Sequence, residues 1–180
     1  MFVQTQNTPN PNSLKFLPGR TVSNGGSYEI ISKKDTDSDL VKNILSINGV
    51  TGVFLGEDFI SINKKENMPW EDIRHIAISL INEFYKSGGK FVIDKNYNKK
   101  SEKDLIEVEK RIIEILDKKI RPAVSRDGGD IKFKEFKNGV VKVQLQGSCS
   151  GCPSSTLTLK QGVKNLLCHY ISEVKEVVAL

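Results

Sequence analysis

Long apolar runs are missing from this sequence, and so is any density of cysteine. The apolar stretches are short and interrupted, none longer than four residues, far short of the roughly 18 residues a membrane helix requires. Contact with a membrane is therefore not expected. Three cysteines in 180 residues are too few, and odd in number, for a disulfide-framed secreted domain. The first 20 residues lack an apolar core behind early positive charge, and the first arginine is Arg20. A signal or transit peptide is thus not read there. The expected location is cytoplasmic, of bacterial type, with a processed organellar form as the alternative.

A concentrated patch of positive charge is absent too. The net charge is +5, yet residues 1–93 carry 10 basic and 10 acidic side chains, and the small excess is spread beyond them. Lys118, Lys119 and Arg121 alternate with Glu114 and Asp117 as on a solvated helix face. Nucleic-acid binders gather basic residues on one stripe, so nucleic acid is not an expected partner.

What is present divides the chain. Residues 94–103 (DKNYNKKSEK) hold one aromatic and no aliphatic side chain. Such a stretch cannot bury enough apolar area to order itself and reads as a linker. Before it lies a domain of residues 1–93. Strands are expected at Phe2–Thr5 and Ser13–Leu17 around the Pro9–Asn12 turn, at Val53–Leu55, at Ile60–Ile62, and briefly at Phe91–Ile93. A short helix capped by Ser38 or Asp39 carries Leu40, Val41, Ile44 and Leu45, and a longer one carries Ile73, Ile76, Ala77, Leu80, Ile81 and Phe84 at helical spacing. Residues 104–180 make the second domain. An amphipathic helix through Leu105, Val108, Ile112, Leu116 and Ile120 ends at Pro122 or at Asp127-Gly128-Gly129-Asp130. A hairpin turns on Asn138-Gly139, a further helix carries Leu159 to Ile171, and a last strand lies within Val174–Leu180. The fold class is α+β: two small mixed domains, the C-terminal one running helix, hairpin, helix, strand.

The distinctive chemistry lies in Gly147-Ser148-Cys149-Ser150-Gly151-Cys152-Pro153. Two cysteines separated by two residues can aim both sulfurs into one space, as a metal, a cluster or a disulfide needs. Pro153 suits the first turn of the following helix, whose dipole is expected to favour thiolates at Cys149 and Cys152. A zinc site or an iron–sulfur cluster generally takes four protein ligands, and this loop offers two. Cys168 stands 16 residues beyond Cys152, roughly 24 Å along one helix at about 1.5 Å per residue. His169 adjoins it, and His75 lies in the other domain. Three uses remain: a site shared by two chains, a dithiol/disulfide couple within one chain, or a zinc half-site. A redox motif of thioredoxin type follows an early strand of a βαβ unit, whereas this pair follows a hairpin near the C-terminus, which favours the shared cluster.

A resemblance sharpens the choice. Asp127–Asp130, the hairpin and the run Gly147–Lys160 (GSCSGCPSSTLTLK) look like the C-terminal domain of NifU, the Nfu-type scaffold. Gln4–Phe16 (QTQNTPNPNSLKF) resembles the separate N-terminal domain of Nfu proteins. Together these matches span nearly the whole chain in the right order. The resemblance implies a 4Fe-4S cluster bridging the two subunits of a homodimer, received from an upstream donor and delivered to apo iron–sulfur client proteins. Only Cys149 and Cys152 carry over, as cluster and metal ligands; no catalytic residue is implied. The expected role is an iron–sulfur cluster scaffold or carrier, not an enzyme. The alternatives are a monomeric dithiol/disulfide oxidoreductase and a zinc-stabilised interaction module.

Other residues have plainer readings. Cys168 is expected as a small hydrophobe in its helix, and His75 as a solvated side chain. Asp127–Asp130 is expected as a tight helix-to-strand connection in preference to a cation site. Arg126 could offset the charge of a thiolate-bound cluster. Asn7–Asn12 is either a rigid turn or a partner-recognition segment.

Overall fold

The computed structural model describes residues 2–94 and 105–180, with the backbone alone at residue 94 and at residues 153–156. The linker expected at 94–103 therefore lies outside the described residues except for Asp94.

Strand alternation builds the first sheet. β1 (Gln4–Asn7), β2 (Ser13–Leu17), β4 (Tyr28–Ile30), β5 (Val50–Leu55) and β6 (Ile60–Lys64) form five antiparallel strands in the order β1-β2-β6-β5-β4. Because side chains alternate across a strand, Leu14, Phe16, Val53, Leu55, Ile60 and Ile62 share one face and are buried. Helices α1 (Asp39–Ile44) and α2 (Glu71–Lys86) cover that face with Ile44, Ile73, Ala77 and Ile81. The Val41 N–H donates to Ser38 Oγ at 3.5 Å, so Ser38 is the cap of α1. Two-residue strands β3 (Ser23–Asn24) and β7 (Ile93–Asp94) pair in parallel beside the sheet.

Some expectations shift. Ile76, placed on the apolar stripe of α2 by spacing, is 49% exposed; the buried row is Ile73, Ala77, Ile81 and Tyr85, at strict four-residue steps. The first strand begins at Gln4 and leaves Phe2 exposed, while Ile93–Asp94 takes the place of Phe91–Ile93.

The second core collects on a three-stranded sheet, β10-β9-β8, built from β8 (Gly129–Lys137), β9 (Val140–Gly147) and β10 (Glu176–Ala179). Asn138 (φ 53°) and Gly139 (φ 80°) both take the left-handed region, as a two-residue hairpin matching the strand twist demands. β10 returns parallel to β9 after α5 (Pro153–Tyr170), the crossover a parallel pair requires. On one face Ile131, Val141, Val143 and Leu145 pack with Ile112, Leu116, Val163 and Leu167. The helix before the hairpin runs as α3 (Glu107–Ile115), a π-helical turn at Leu116–Ile120, and α4 (Arg121–Arg126). Pro122 does not end it. A proline inside a helix removes one backbone donor, and the widened turn just before it absorbs the mismatch. The helix stops instead at Gly128, whose φ of 83° lets the chain reverse into β8.

Candidate functional site

Both turns at one end of the β8/β9 hairpin meet at the cysteines. Gly129 pairs with Gly147 in the ladder, so Asp127–Asp130 and the loop 147–152 lie side by side. The Ser148 N–H donates to the Gly128 carbonyl at 3.2 Å, the Ser148 hydroxyl donates to the Asp127 carbonyl, and the Ser150 N–H donates to the Gly147 carbonyl at 3.1 Å. The glycines are needed for close approach. A Cβ on Gly129 would stand 2.6 Å from Cys149 Sγ and 2.6 Å from the Gln146 carbonyl, and one on Gly147 (φ 66°) 2.6 Å from the Gly128 carbonyl. The Asp127–Asp130 segment is thus the bed on which the cysteine loop rests. Asp130 itself is buried: it accepts from Arg121 Nε at 3.1 Å, from the Ile131 N–H at 2.8 Å, and from the Ser27 hydroxyl.

From the other side, the first sheet covers the loop. Its face opposite α1 and α2 carries one row of side chains across five strands, Gln6, Lys15, Ser61, Phe54 and Glu29. Ser61 Oγ donates to the Gly128 carbonyl at 2.7 Å, and Lys15 Nζ donates to the Ser125 (2.9 Å) and Arg126 (3.3 Å) carbonyls at the end of α4. Glu29 Oε1 accepts from the Gly147 N–H at 3.0 Å, and Asn63 Nδ2 donates to the Gly147 carbonyl at 3.1 Å. Phe54 lies beneath Gly147. The Pro9–Asn12 turn closes over the tip. Asn10 Nδ2 donates to the Ser148 carbonyl at 3.0 Å and the Ser150 carbonyl at 3.5 Å, while Asn10 Oδ1 accepts from the Asn12 N–H within its own turn. The Asn7–Asn12 segment is therefore both a turn and a contact with the cysteines' own loop. Cys152 Sγ, in turn, lies 3.9 Å from the Pro9 carbonyl.

This enclosure reverses one expectation. Cys149, Cys152 and Cys168 are all thiols, but Cys149 and Cys152 are 5% and 1% exposed. Burial pushes the Cys149 thiol up to about 11; the Ser148 hydroxyl opposes this, and Asp127, Cys152 and Asp130 add to it. Pro153 opens α5 as expected, with Cys152 at the N-cap position but no side-chain cap bond, and removal from water outweighs what the helix end offers Cys149. In this state Cys149 is a protonated thiol, not a primed nucleophile.

The remaining candidates stay apart from the pair. Cys168 lies near the far end of α5, packed against the second core. His75 and His169 are exposed, His169 edge-on to Tyr170 with ring centroids 4.9 Å apart. Arg126 Nε donates back to the Pro122 carbonyl. Among the described residues, no group of three or more His, Cys, Asp or Glu side chains is arranged to hold a metal ion, and no helix is long and apolar enough to cross a membrane. Sequence reasoning missed Asn10, Ser61, Asn63 and Gly129 as residues around the pair. Only the polar side of the strand alternation signalled the middle two, and it gives no hint of a cover.

Comparison with known proteins places both halves. Residues 3–88 match the family model described as scaffold protein Nfu/NifU N terminal, and residues 112–178 match the NifU-like domain. NifU-like protein 5, mitochondrial, of Arabidopsis thaliana is 41% identical over 98% of this chain and 67% of its own length. The chain belongs to the Nfu/NifU family. Another relative, the NFU1 iron-sulfur cluster scaffold homolog, mitochondrial, of Drosophila persimilis, is 46% identical over 98% of this chain and 64% of its own length. This Nfu/NifU chain thus spans about two thirds of the length of the curated relatives it matches. A solved NifU-like protein from Saccharomyces cerevisiae is 30% identical over 51% of this chain and 82% of its own, with a TM-score of 0.47. The family match takes in the cysteine loop and the segment of the first half that covers it.

Proposed function

We propose that the chain is a carrier whose cargo is a 4Fe-4S cluster, held between two copies by Cys149 and Cys152 of each and passed to apo iron–sulfur proteins. The observation that carries this reading is the isolated pair: two thiols in one loop, with Cys168 roughly 24 Å along α5 at about 1.5 Å per residue. Four ligands then require a second copy on a two-fold axis. Leu157, 76% exposed one turn into α5 beside the loop, is an apolar surface such a partner would cover. The work is ligand exchange without net oxidation. Each thiol gives up its proton as iron binds, and the iron later passes to a client thiolate. Nothing in this requires turnover of a substrate, so the chain is read as a carrier and not an enzyme, supplied by an upstream donor. The two cores are read as two domains, divided within 94–103. Thiol ligands call for a reducing compartment, either a bacterial-type cytoplasm or the organelle for which several relatives are named.

A dithiol oxidoreductase is less well supported. An attacking thiol works best with a pKa near ambient pH, and burial moves Cys149 away from that range.

Anaerobic reconstitution with iron and sulfide tests the proposal. The loaded form should be a dimer with about four irons, two thiolates coming from each chain. It should activate an apo 4Fe-4S enzyme faster than free iron and sulfide do. A monomeric loaded form, or transfer no faster than from the free ions, would sink the carrier reading.

A further inference from the structure

The sheet face that covers the cysteines has a function of its own. We propose that the outer face of the first sheet, with the Pro9–Asn12 turn, is a docking surface for the chain's own cysteine loop, and that a second copy's cysteines are admitted only when it lets go. The inference rests on the reading that the cargo sits between two copies.

Three observations carry it. The contacts are to the backbone of the loop and of the turn it rests on: Ser61 binds the Gly128 carbonyl, Asn63 and Glu29 bind the carbonyl and N–H of Gly147, and Asn10 binds the Ser148 and Ser150 carbonyls. The Pro9 carbonyl sits over Cys152 Sγ, so the docked loop cannot face another loop across a two-fold axis. The seam is also built to separate. Its core is mixed: beside the buried Phe54 and Phe59, Lys15 and Glu29 are drawn partly out of water, each shifted in the direction burial dictates. Ser13 Oγ and Asn63 Oδ1, cross-strand neighbours on this face, are buried with no hydrogen-bond partner among the described residues. Buried polar groups left unmatched weaken an interface. Contacts between domains that are rich in polar groups separate more readily than apolar ones. A crevice of about 390 Å³ already runs along the seam, lined by Asn10, Glu29, Asn63, Ser150 and Gly151 among others.

The docked form therefore stores protected thiols, and opening exposes them for dimerisation and loading. Competition between an intramolecular and an intermolecular contact follows from effective concentration: the tethered surface prevails until a bridging cluster shifts the balance.

Iodoacetamide labelling of the full chain at pH 8, mapped by mass spectrometry, tests this without any cluster. The variants are Asn10→Ala with Asn63→Ala, which removes three hydrogen bonds to the loop, and Ser61→Arg, which drives a long side chain into Gly128. Cys152 labelling should rise at least about tenfold in either variant, the factor equal to about 1.4 kcal/mol of docking free energy. Cys168, on the far end of α5, should label within about twofold of the unmodified chain and so reports that the second half remains folded. Anaerobic loading should speed up in parallel. Equal Cys152 labelling in all three proteins, with Cys168 unchanged, overturns the docking surface, and so does equal loading speed. If no protein takes up a cluster while the Cys152 protection and its loss are observed, the carrier reading fails and the docking surface stands.

Discussion

The two sheets of this chain use strand alternation in different ways. In the three-stranded sheet one face is core. The other is covered only at the end beside the cysteine loop, where Asp130 and Gln146 are buried and Lys132 reaches the Ser27 carbonyl. Beyond that end it turns outward, where Glu135 and Lys142 make a half-exposed ion pair at 2.6 Å. In the five-stranded sheet both faces are covered: one by α1 and α2, the other by the cysteine loop, so that Lys15 and Ser61 are 7% and 0% exposed. Burial of a polar face obliges each group to find a partner. Here the partners are backbone atoms of the Ser125–Gly128 segment and of Gly147, the bed and the first residue of the loop bearing Cys149 and Cys152. A polar face in a strand pattern is thus either a surface or a docking site, and the pattern alone does not distinguish them.

The largest effect is expected at the ligands. Cys149→Ala or Cys152→Ala should abolish iron–sulfur binding, whereas Cys168→Ala should leave it nearly intact, as bound iron and sulfide would report. Equal loss in the Cys168 variant would mean that the far end of α5 reaches the site.

Truncations in the cores should have the next largest effect. Leu167 and Ile81 are each 0% exposed, one in each core. Truncating a buried Leu or Ile to Ala costs about 2–5 kcal/mol through lost burial and the cavity left behind. Leu167→Ala should lower the melting of the cysteine-bearing half while the first half holds its own transition, and Ile81→Ala should do the reverse. A single transition displaced equally by both would show one cooperative unit in place of two domains.

A smaller effect follows from the covered thiol. With Cys149 raised from 9.0 to about 11 in the fold, its contribution to stability is fully present below about pH 9. It is lost as pH rises through about 11, because the unfolded chain releases that proton first. The loss should be on the order of 2 kcal/mol. It should vanish in Cys149→Ala, measured as the difference between the two denaturation profiles. That comparison also cancels Tyr85, whose phenol burial pushes up to about 12.

The smallest effect lies on the outward face of the other sheet. Lys142→Ala, which removes the partner of Glu135, should leave the melting temperature unchanged within error, since exposed ion pairs contribute little. A clear drop would mean that this face, too, is covered.

Much of this was legible beforehand for physical reasons. Helical and strand periods mark the elements because burial selects every second or every third to fourth residue. Asn138-Gly139 marks the hairpin because few other pairs accept two positive φ angles. The cysteine pair and its resemblance to Nfu/NifU proteins are local in sequence, and the family match over residues 3–88 and 112–178 agrees with them. Ile76 and Pro122 were less legible, since a helix's facing and its tolerance of a proline depend on what packs around it.

Sequence by itself determined most of the elements, the two apolar cores and the two thiols, each written within a window of a few turns, though not β3, β4 or the π-helical turn. Only the tertiary structure decided the state of those thiols. Asn10 and Ser148 are 138 residues apart and meet at 3.0 Å; Ser61 and Gly128 are 67 apart and meet at 2.7 Å. No local pattern encodes such pairs. Desolvation, which sets the Cys149 thiol near 11, is a property of everything packed around an atom and not of the residues beside it in the chain.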